Sequence, residues 1–185
     1  MKIRQEFTVS SSPQSVWQFF QDVPAVAQCL PGAELTGTSE SGEYEGLISV
    51  KLGPMTAAFE GAATVTADAA NRRAEISGKG VDKKGGSRGQ VKVVYEVAAA
   101  DPGSKVLVDA DITLSGPAAQ FGRTGLINEM SKRLISDFVA CLEAKLAAGS
   151  VEEASEITSG EVSGIKLFFS SLISWLKRIF GGAGR

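Results

Sequence analysis

SKVLVDADITLSGPAAQFGRTGLINEMSKRLISDFVACLEAKLAA, residues 104–148, decides the fold, because its hydrophobic period changes partway along. Val106, Val108, Ala110, Ile112 and Leu114 alternate with residues that include Asp109 and Asp111, a period of two that predicts a strand with one wet face. Between Ala118 and Ala148 the apolar positions Ile127, Met130, Leu134, Phe138, Cys141 and Leu142 instead recur at helical spacing. Asn128, Lys132, Glu143 and Lys145 fall off that stripe. A helix of that extent spans about 45 Å, enough to lie across a curved sheet of roughly six or seven strands.

Upstream, Val91, Val93, Tyr95 and Val97 alternate with polar residues that include Lys92 and Glu96. Short alternating runs fill the chain from Ala33 to Gly116, separated at Gly42, Gly53-Pro54, Asn71, Gly85-Gly86 and Pro102-Gly103, as an antiparallel meander requires. Ile3, Gln5, Phe7 and Val9 predict a first strand. A hydroxyl cap before Pro13 and the spacing of Val16, Trp17, Phe19 and Phe20 predict a helix from Pro13 to about Gln21. A second short helix follows through Ala25 to Gln28, and Leu30-Pro31-Gly32 turns the chain outward. The expected class is α+β, with one domain over residues 1–148. A strongly bent sheet gripping a helix rarely fills the space between them, so an apolar pocket is expected there.

The 185 residues suit one domain plus an appendage, and 43% apolar content with a net charge of -2 points away from nucleic acid. Histidine is absent, which removes the commonest general base and the commonest metal ligand. Cys29 and Cys141 have no CxxC spacing, and the N-terminus does not read as an export signal. Both cysteines are therefore expected to be reduced and buried, in a cytoplasmic protein. No run reaches the roughly 20 apolar residues of a spanning helix, so membrane contact would be peripheral.

Residues 149–164 contain Glu152, Glu153, Glu156 and Glu161 with no basic residue, and read as an acidic flexible linker. Residues 165–181 then form an amphipathic pattern. Ile165, Phe168, Phe169, Leu172, Ile173, Trp175, Leu176, Ile179 and Phe180 share one face of a helical wheel. Lys166, Lys177 and Arg178 lie opposite. The expected role is a helix lying in the membrane interface, its cations drawn to anionic lipid. Packing on the domain, or insertion into a partner's groove, are the alternatives.

The polar candidates are Glu34, Glu60, Asp82, Asp109 and Asp111, with a basic loop of Lys79, Lys83, Lys84 and Arg88. Paired carboxylates that carry out acid and base work need partial burial, which nothing in their pattern requests. They read as solvated surface, leaving neither a catalytic set nor a metal site.

Pro24 with Cys29-Leu30-Pro31-Gly32-Ala33, Gly53-Pro54 ahead of Phe59-Glu60-Gly61, and Gly116-Pro117-Ala118-Ala119-Gln120-Phe121-Gly122-Arg123 resemble the successive motifs of the carbon monoxide dehydrogenase G-subunit family, within the START-like helix-grip superfamily. The resemblance runs from Met1 to about Ala148. It implies a helix-grip fold and a non-catalytic accessory protein of a molybdenum-containing carbon monoxide dehydrogenase. Such proteins are implicated in attaching the enzyme to the membrane and in handling a respiratory quinone, menaquinone in some bacteria. Joined to the pocket and tail, the resemblance suggests a carrier that holds a non-covalently bound isoprenoid quinone and moves it between membrane and enzyme. Trp17, Phe20, Leu30, Leu35, Tyr44, Met55, Phe59, Phe121, Ile127, Met130 and Leu134 are then the candidate pocket residues. Val23, Pro24, Pro31 and Gly32 would belong to a lid, and Gln120 and Arg123 to polar contacts or a docking surface. The competing expectation is a tether or assembly factor whose pocket is filled by its own side chains; a hydrolase or cyclase on the same fold is disfavoured for want of a polar constellation.

Overall fold

The computed structural model describes residues 1–52, 55–123, 126–148 and 151–159. The expected amphipathic helix at 165–181 lies outside the described residues, as does the side chain of Arg123.

The chain opens with β1 (Lys2–Val9), an edge strand that pairs along its whole length with the last strand of the sheet. Helix α1 (Pro13–Gln21) starts where the Ser12 hydroxyl accepts a hydrogen bond from the Ser15 amide at 3.2 Å, with Pro13 in the first turn. Asp22 ends α1 and caps α2 (Val23–Cys29) by accepting from the Ala25 amide at 3.0 Å. Strands β2 (Ala33–Thr38), β3 (Tyr44–Leu52), β4 (Met55–Asp68), β5 (Arg73–Asp82), β6 (Ser87–Ala99) and β7 (Ser104–Ser115) follow as a continuous meander. The result is a 7-stranded antiparallel sheet in the order β1-β7-β6-β5-β4-β3-β2.

The single helix expected from Ala118 is broken in two. Gly116–Arg123 forms a 3-10 helix, entered at Gly116 with φ 74°, and α3 runs from Leu126 to Ala147. The α-helical part is accordingly about 33 Å long.

Two further expectations are corrected. Cys29 and Cys141 are not free thiols: they form a disulfide with Cα atoms 5.4 Å apart, joining the end of α2 to α3. Motif spacing reports bridges within one local framework, and it carries no signal that two helices far apart in sequence lie side by side. The start of the acidic segment is not an open linker either. Val151–Glu156 forms α4, and Ile157 packs against the core. The Ser159 amide donates to the Gln28 carbonyl at 3.0 Å, while Lys145 Nζ donates to Gln28 Oε1 at 2.7 Å and to the Ala154 carbonyl. The α3 stripe places Lys145 on the wet face, yet it is only 7% exposed, because α4 folds back over it.

Candidate functional site

The sheet's inner face follows from its register. Tyr95 and Ala74 are buried and directly opposed. On the same face buried Phe59 lies opposite half-buried Ile48, and every second residue along each strand joins them. One row across that face is Leu35, Gly46, Gly61, Gly80, Gly89 and Leu114. The middle of this row offers bare backbone instead of side chains. At Gly61 the backbones approach so closely that a Cβ would overlap the Lys79 carbonyl oxygen, and at Gly46 one would meet the Glu34 carbonyl at 2.6 Å. The glycines let neighbouring backbones approach closely, and Phe59 lies over two of them, where a Cβ at Gly80 or Gly89 would meet its atoms at 3.1 and 3.5 Å.

Buried apolar side chains fall into separate clusters on either side of this region. One joins Val16, Trp17, Phe19 and Phe20 of α1 to Tyr95, Val97 and Val106 of the sheet and to Phe138, Cys141 and Leu142 of α3. Phe20 stacks on Tyr95 with centroids 4.6 Å apart, and on Phe138 at 5.8 Å. The other joins Ala57, Phe59 and Ala118, with Ile48, Val50, Met55, Leu114, Phe121 and Met130 against it. Val65 and Ile76 pack against the first cluster, and with Val91, Val93 and Ile112 they line the inner face half-buried. Helix α3 meets the sheet chiefly at β1 and otherwise rests on α1, α2, α4 and the 3-10 helix. The inner face of the middle strands is thus apolar and only half-buried.

The expected pocket residues divide between the two clusters and the half-buried inner face. Trp17, Phe20 and Leu30 lie at the α1 end, and Met55, Phe59, Phe121 and Met130 at the 3-10 end. Leu35 and Tyr44 stand half-buried on β2 and β3, Leu134 half-buried on α3, and Ile127 is buried outside both clusters. Val23, Pro24, Pro31 and Gly32 flank or begin α2, whose last residue is bonded to α3; Gln120 is exposed on the 3-10 helix.

One buried inner-face residue is missing from the sequence-derived candidates. Tyr95 is 3% exposed within the α1 cluster. Burial pushes its pKa up to about 12, opposed by a side-chain hydrogen bond with Gln21. The Gln21 side-chain amide also donates to the Trp17 carbonyl at 3.4 Å. The available signal is the tyrosine in the apolar register Val91-Val93-Tyr95-Val97.

The polar candidates have structural roles. Arg4 donates to both oxygens of Asp109, at 2.7 and 3.2 Å, and this contact with the guanidinium holds the exposed Asp109 carboxyl below its usual range. Lys83 pairs with Glu60 at 2.7 Å, and the N-terminal ammonium with Asp111 at 3.3 Å. Glu34 is exposed. Asp82 is buried, contrary to expectation, because its carboxylate accepts the Lys84 and Gly85 amides at 3.1 and 2.9 Å and shapes the β5–β6 turn. Lys79, Lys84 and Arg88 are exposed around that turn.

A seven-stranded sheet packed against a C-terminal helix agrees with what the chain resembles. Residues 6–147 match the family of the carbon monoxide dehydrogenase G-subunit (CoxG). The chain belongs to that family. No curated protein matches it. Among solved structures it is similar to a conserved protein from Geobacillus kaustophilus, with TM-score 0.66, 15% identity, and coverage of 80% of this chain and 95% of that one. A Thermus thermophilus protein gives TM-score 0.59 at 15% identity, covering 81% and 100% of the two chains. The Zhui aromatase/cyclase from Streptomyces sp. R1128 gives 0.51 at 15%, covering 82% and 99%. At these identities the likeness establishes the START-like helix-grip fold. The family name ties this CoxG chain to carbon monoxide dehydrogenase.

Proposed function

We propose that this CoxG protein is a membrane-attached accessory of a molybdenum carbon monoxide dehydrogenase, carrying a respiratory quinone, menaquinone-like, between bilayer and enzyme. The observation that carries the reading is the apolar inner face of the sheet, whose Val91, Val93, Ile76 and Ile112 stay half-buried in a helix-grip fold. An isoprenoid chain is excluded by water, and a face of half-buried Val and Ile side chains accepts it without requiring specific polar contacts. No helix among the described residues is long and apolar enough to cross a membrane, so attachment falls to the amphipathic pattern of residues 165–181. The chain's place is then the cytoplasmic face of the membrane. The disulfide is compatible with that compartment, because both cysteines are 0% exposed and thiol exchange needs access to a sulfur atom. The protein does no bond chemistry in this scheme; it binds, shields and presents.

One observation favours the tether as a second reading. The Val23–Gly32 segment, which a lid would have to use, is held to α3 by the Cys29–Cys141 bond and by the Lys145–Gln28 hydrogen bond, and Ser159 donates to the Gln28 carbonyl. Organic extraction of the full chain purified without detergent, followed by mass spectrometry, separates the readings. A prenylated quinone near one per chain supports the carrier; its absence, together with no uptake from quinone-loaded vesicles, leaves the tether.

A further inference from the structure

The β5–β6 turn carries a basic patch that the carrier scheme does not use. Lys79, Lys83, Lys84 and Arg88 are all exposed there. Lys83 pairs with Glu60 at 2.7 Å, whereas Lys79, Lys84 and Arg88 have no ion pair among the described residues. By contrast, Arg4, Lys92 and Lys105 elsewhere on the sheet each meet a carboxylate, at 2.7, 2.9 and 2.9 Å. The turn's own carboxylate, Asp82, is 3% exposed and committed to the Lys84 and Gly85 amides. The four cations outnumber Glu60 and Asp82, so the turn is positive on a chain whose net charge is -2. Its tip is small and open, since a Cβ at Gly86 would meet nothing within 4 Å. The 3-10 helix continues the surface: the Ala118 amide donates to Ser87 Oγ at 3.0 Å, and Pro117 and Gln120 are exposed.

We infer that this turn, with the 3-10 helix beside it, is a second membrane contact that docks on anionic lipid headgroups. This rests on the membrane-attached reading and adds which end of the domain faces the bilayer. Lys79, Lys84 and Arg88 are held by no ion pair, so their long side chains follow phosphates that move within a fluid layer. A stable protein interface instead needs buried aromatic or aliphatic anchors. The patch offers one exposed large apolar side chain, Val81 at 40%, standing in register between Glu60 and Arg88. The β2–β3 turn, which the meander places at the other end of the sheet, carries exposed Glu40 and half-buried Glu43, and an anionic surface repels it. Attraction at one end and repulsion at the other orient the domain.

The test measures binding of the full chain to phosphatidylcholine vesicles with and without phosphatidylglycerol. Two double variants change the net charge equally: Lys84→Glu with Arg88→Glu in the turn, and Lys132→Glu with Arg133→Glu at exposed positions of α3. The turn variant is expected to bind phosphatidylglycerol vesicles roughly 10-fold or more weakly and neutral vesicles unchanged, and the α3 variant to lose no more than about 2-fold. Because Cys29 and Cys141 are joined, a single cysteine introduced by Gln120→Cys or Glu40→Cys takes a fluorophore selectively. Lipids spin-labelled at the headgroup should quench the first and spare the second. Equal losses from the two double variants, or equal quenching at the two sites, overturns the inference while attachment through residues 165–181 stands. Unchanged vesicle binding by the turn variant assigns the turn to solvent or to an acidic protein surface and equally overturns it. If wild type binds neither kind of vesicle, the membrane-attached reading falls as well.

Discussion

Cys29 and Cys141, 112 positions apart, are covalently joined with their Cα atoms 5.4 Å apart, so α2 cannot leave α3 while the bond is intact. Cross-linking so long a loop removes conformational freedom from the unfolded chain. Replacing both cysteines by serine is expected to destabilise the domain by about 2–4 kcal/mol. Denaturant melts of the oxidised wild type and the double variant measure this, and hydrogen exchange should rise first in α2. Equal stability would show that the bond contributes nothing to the fold.

Lys145 clamps the same region without a covalent bond, holding Gln28 of α2 and the Ala154 carbonyl of α4. Lys145→Met keeps the apolar stem and removes the donors. A loss of about 1–3 kcal/mol is expected, with new protease sensitivity between residues 148 and 159. Burial lowers the pKa of Lys145 in the fold, although Asp22 opposes the shift. Its contribution to stability therefore rises with pH as the folded-state pKa is passed, until the unfolded chain also loses its proton.

Gly61 and Gly89 share a row but not a constraint. A Cβ at Gly61 would overlap the backbone of Lys79, whereas at Gly89 it would meet Leu114 and Phe59 side-chain atoms at 3.5 Å, ordinary contact distance. Gly61→Ala is expected to destabilise by about 2 kcal/mol or more, and Gly89→Ala by less than about 1 kcal/mol. Thermal melts of the two variants check the contrast.

Tyr95 titrates at about 12 in the fold and near 10 when unfolded. The folded state holds the proton longer, so the contribution is full below about pH 10 and is lost as pH rises through about 12. Between those limits wild-type stability should fall more steeply than that of Tyr95→Phe. Parallel curves from urea melts across this range would contradict the burial of the phenol.

The architecture is legible in the sequence where side-chain period reports it. Ile3-Gln5-Phe7-Val9, Val91-Val93-Tyr95-Val97 and the stripe from Ile127 to Leu142 each mark their element, because burial on one face selects apolar residues at a fixed spacing. The 3-10 form of Gly116–Arg123, the Cys29–Cys141 bond and the return of α4 over Lys145 are not legible. Each depends on which distant segments meet. The glycines are visible only as turn markers; that Gly46, Gly61, Gly80 and Gly89 align across neighbouring strands appears once register is known. Pocket candidates such as Phe59 and Trp17 stand out as apolar residues, but period alone does not tell packed cluster from half-buried face.

A structure of the full chain determined with a bound prenylated naphthoquinone decides whether the sheet's inner face under α3 holds a quinone. The ligand is expected against that face, with Val91, Val93 and Ile76 losing their solvent contact. Ligand found only on the surface, with α3 closed onto the middle strands, would contradict it.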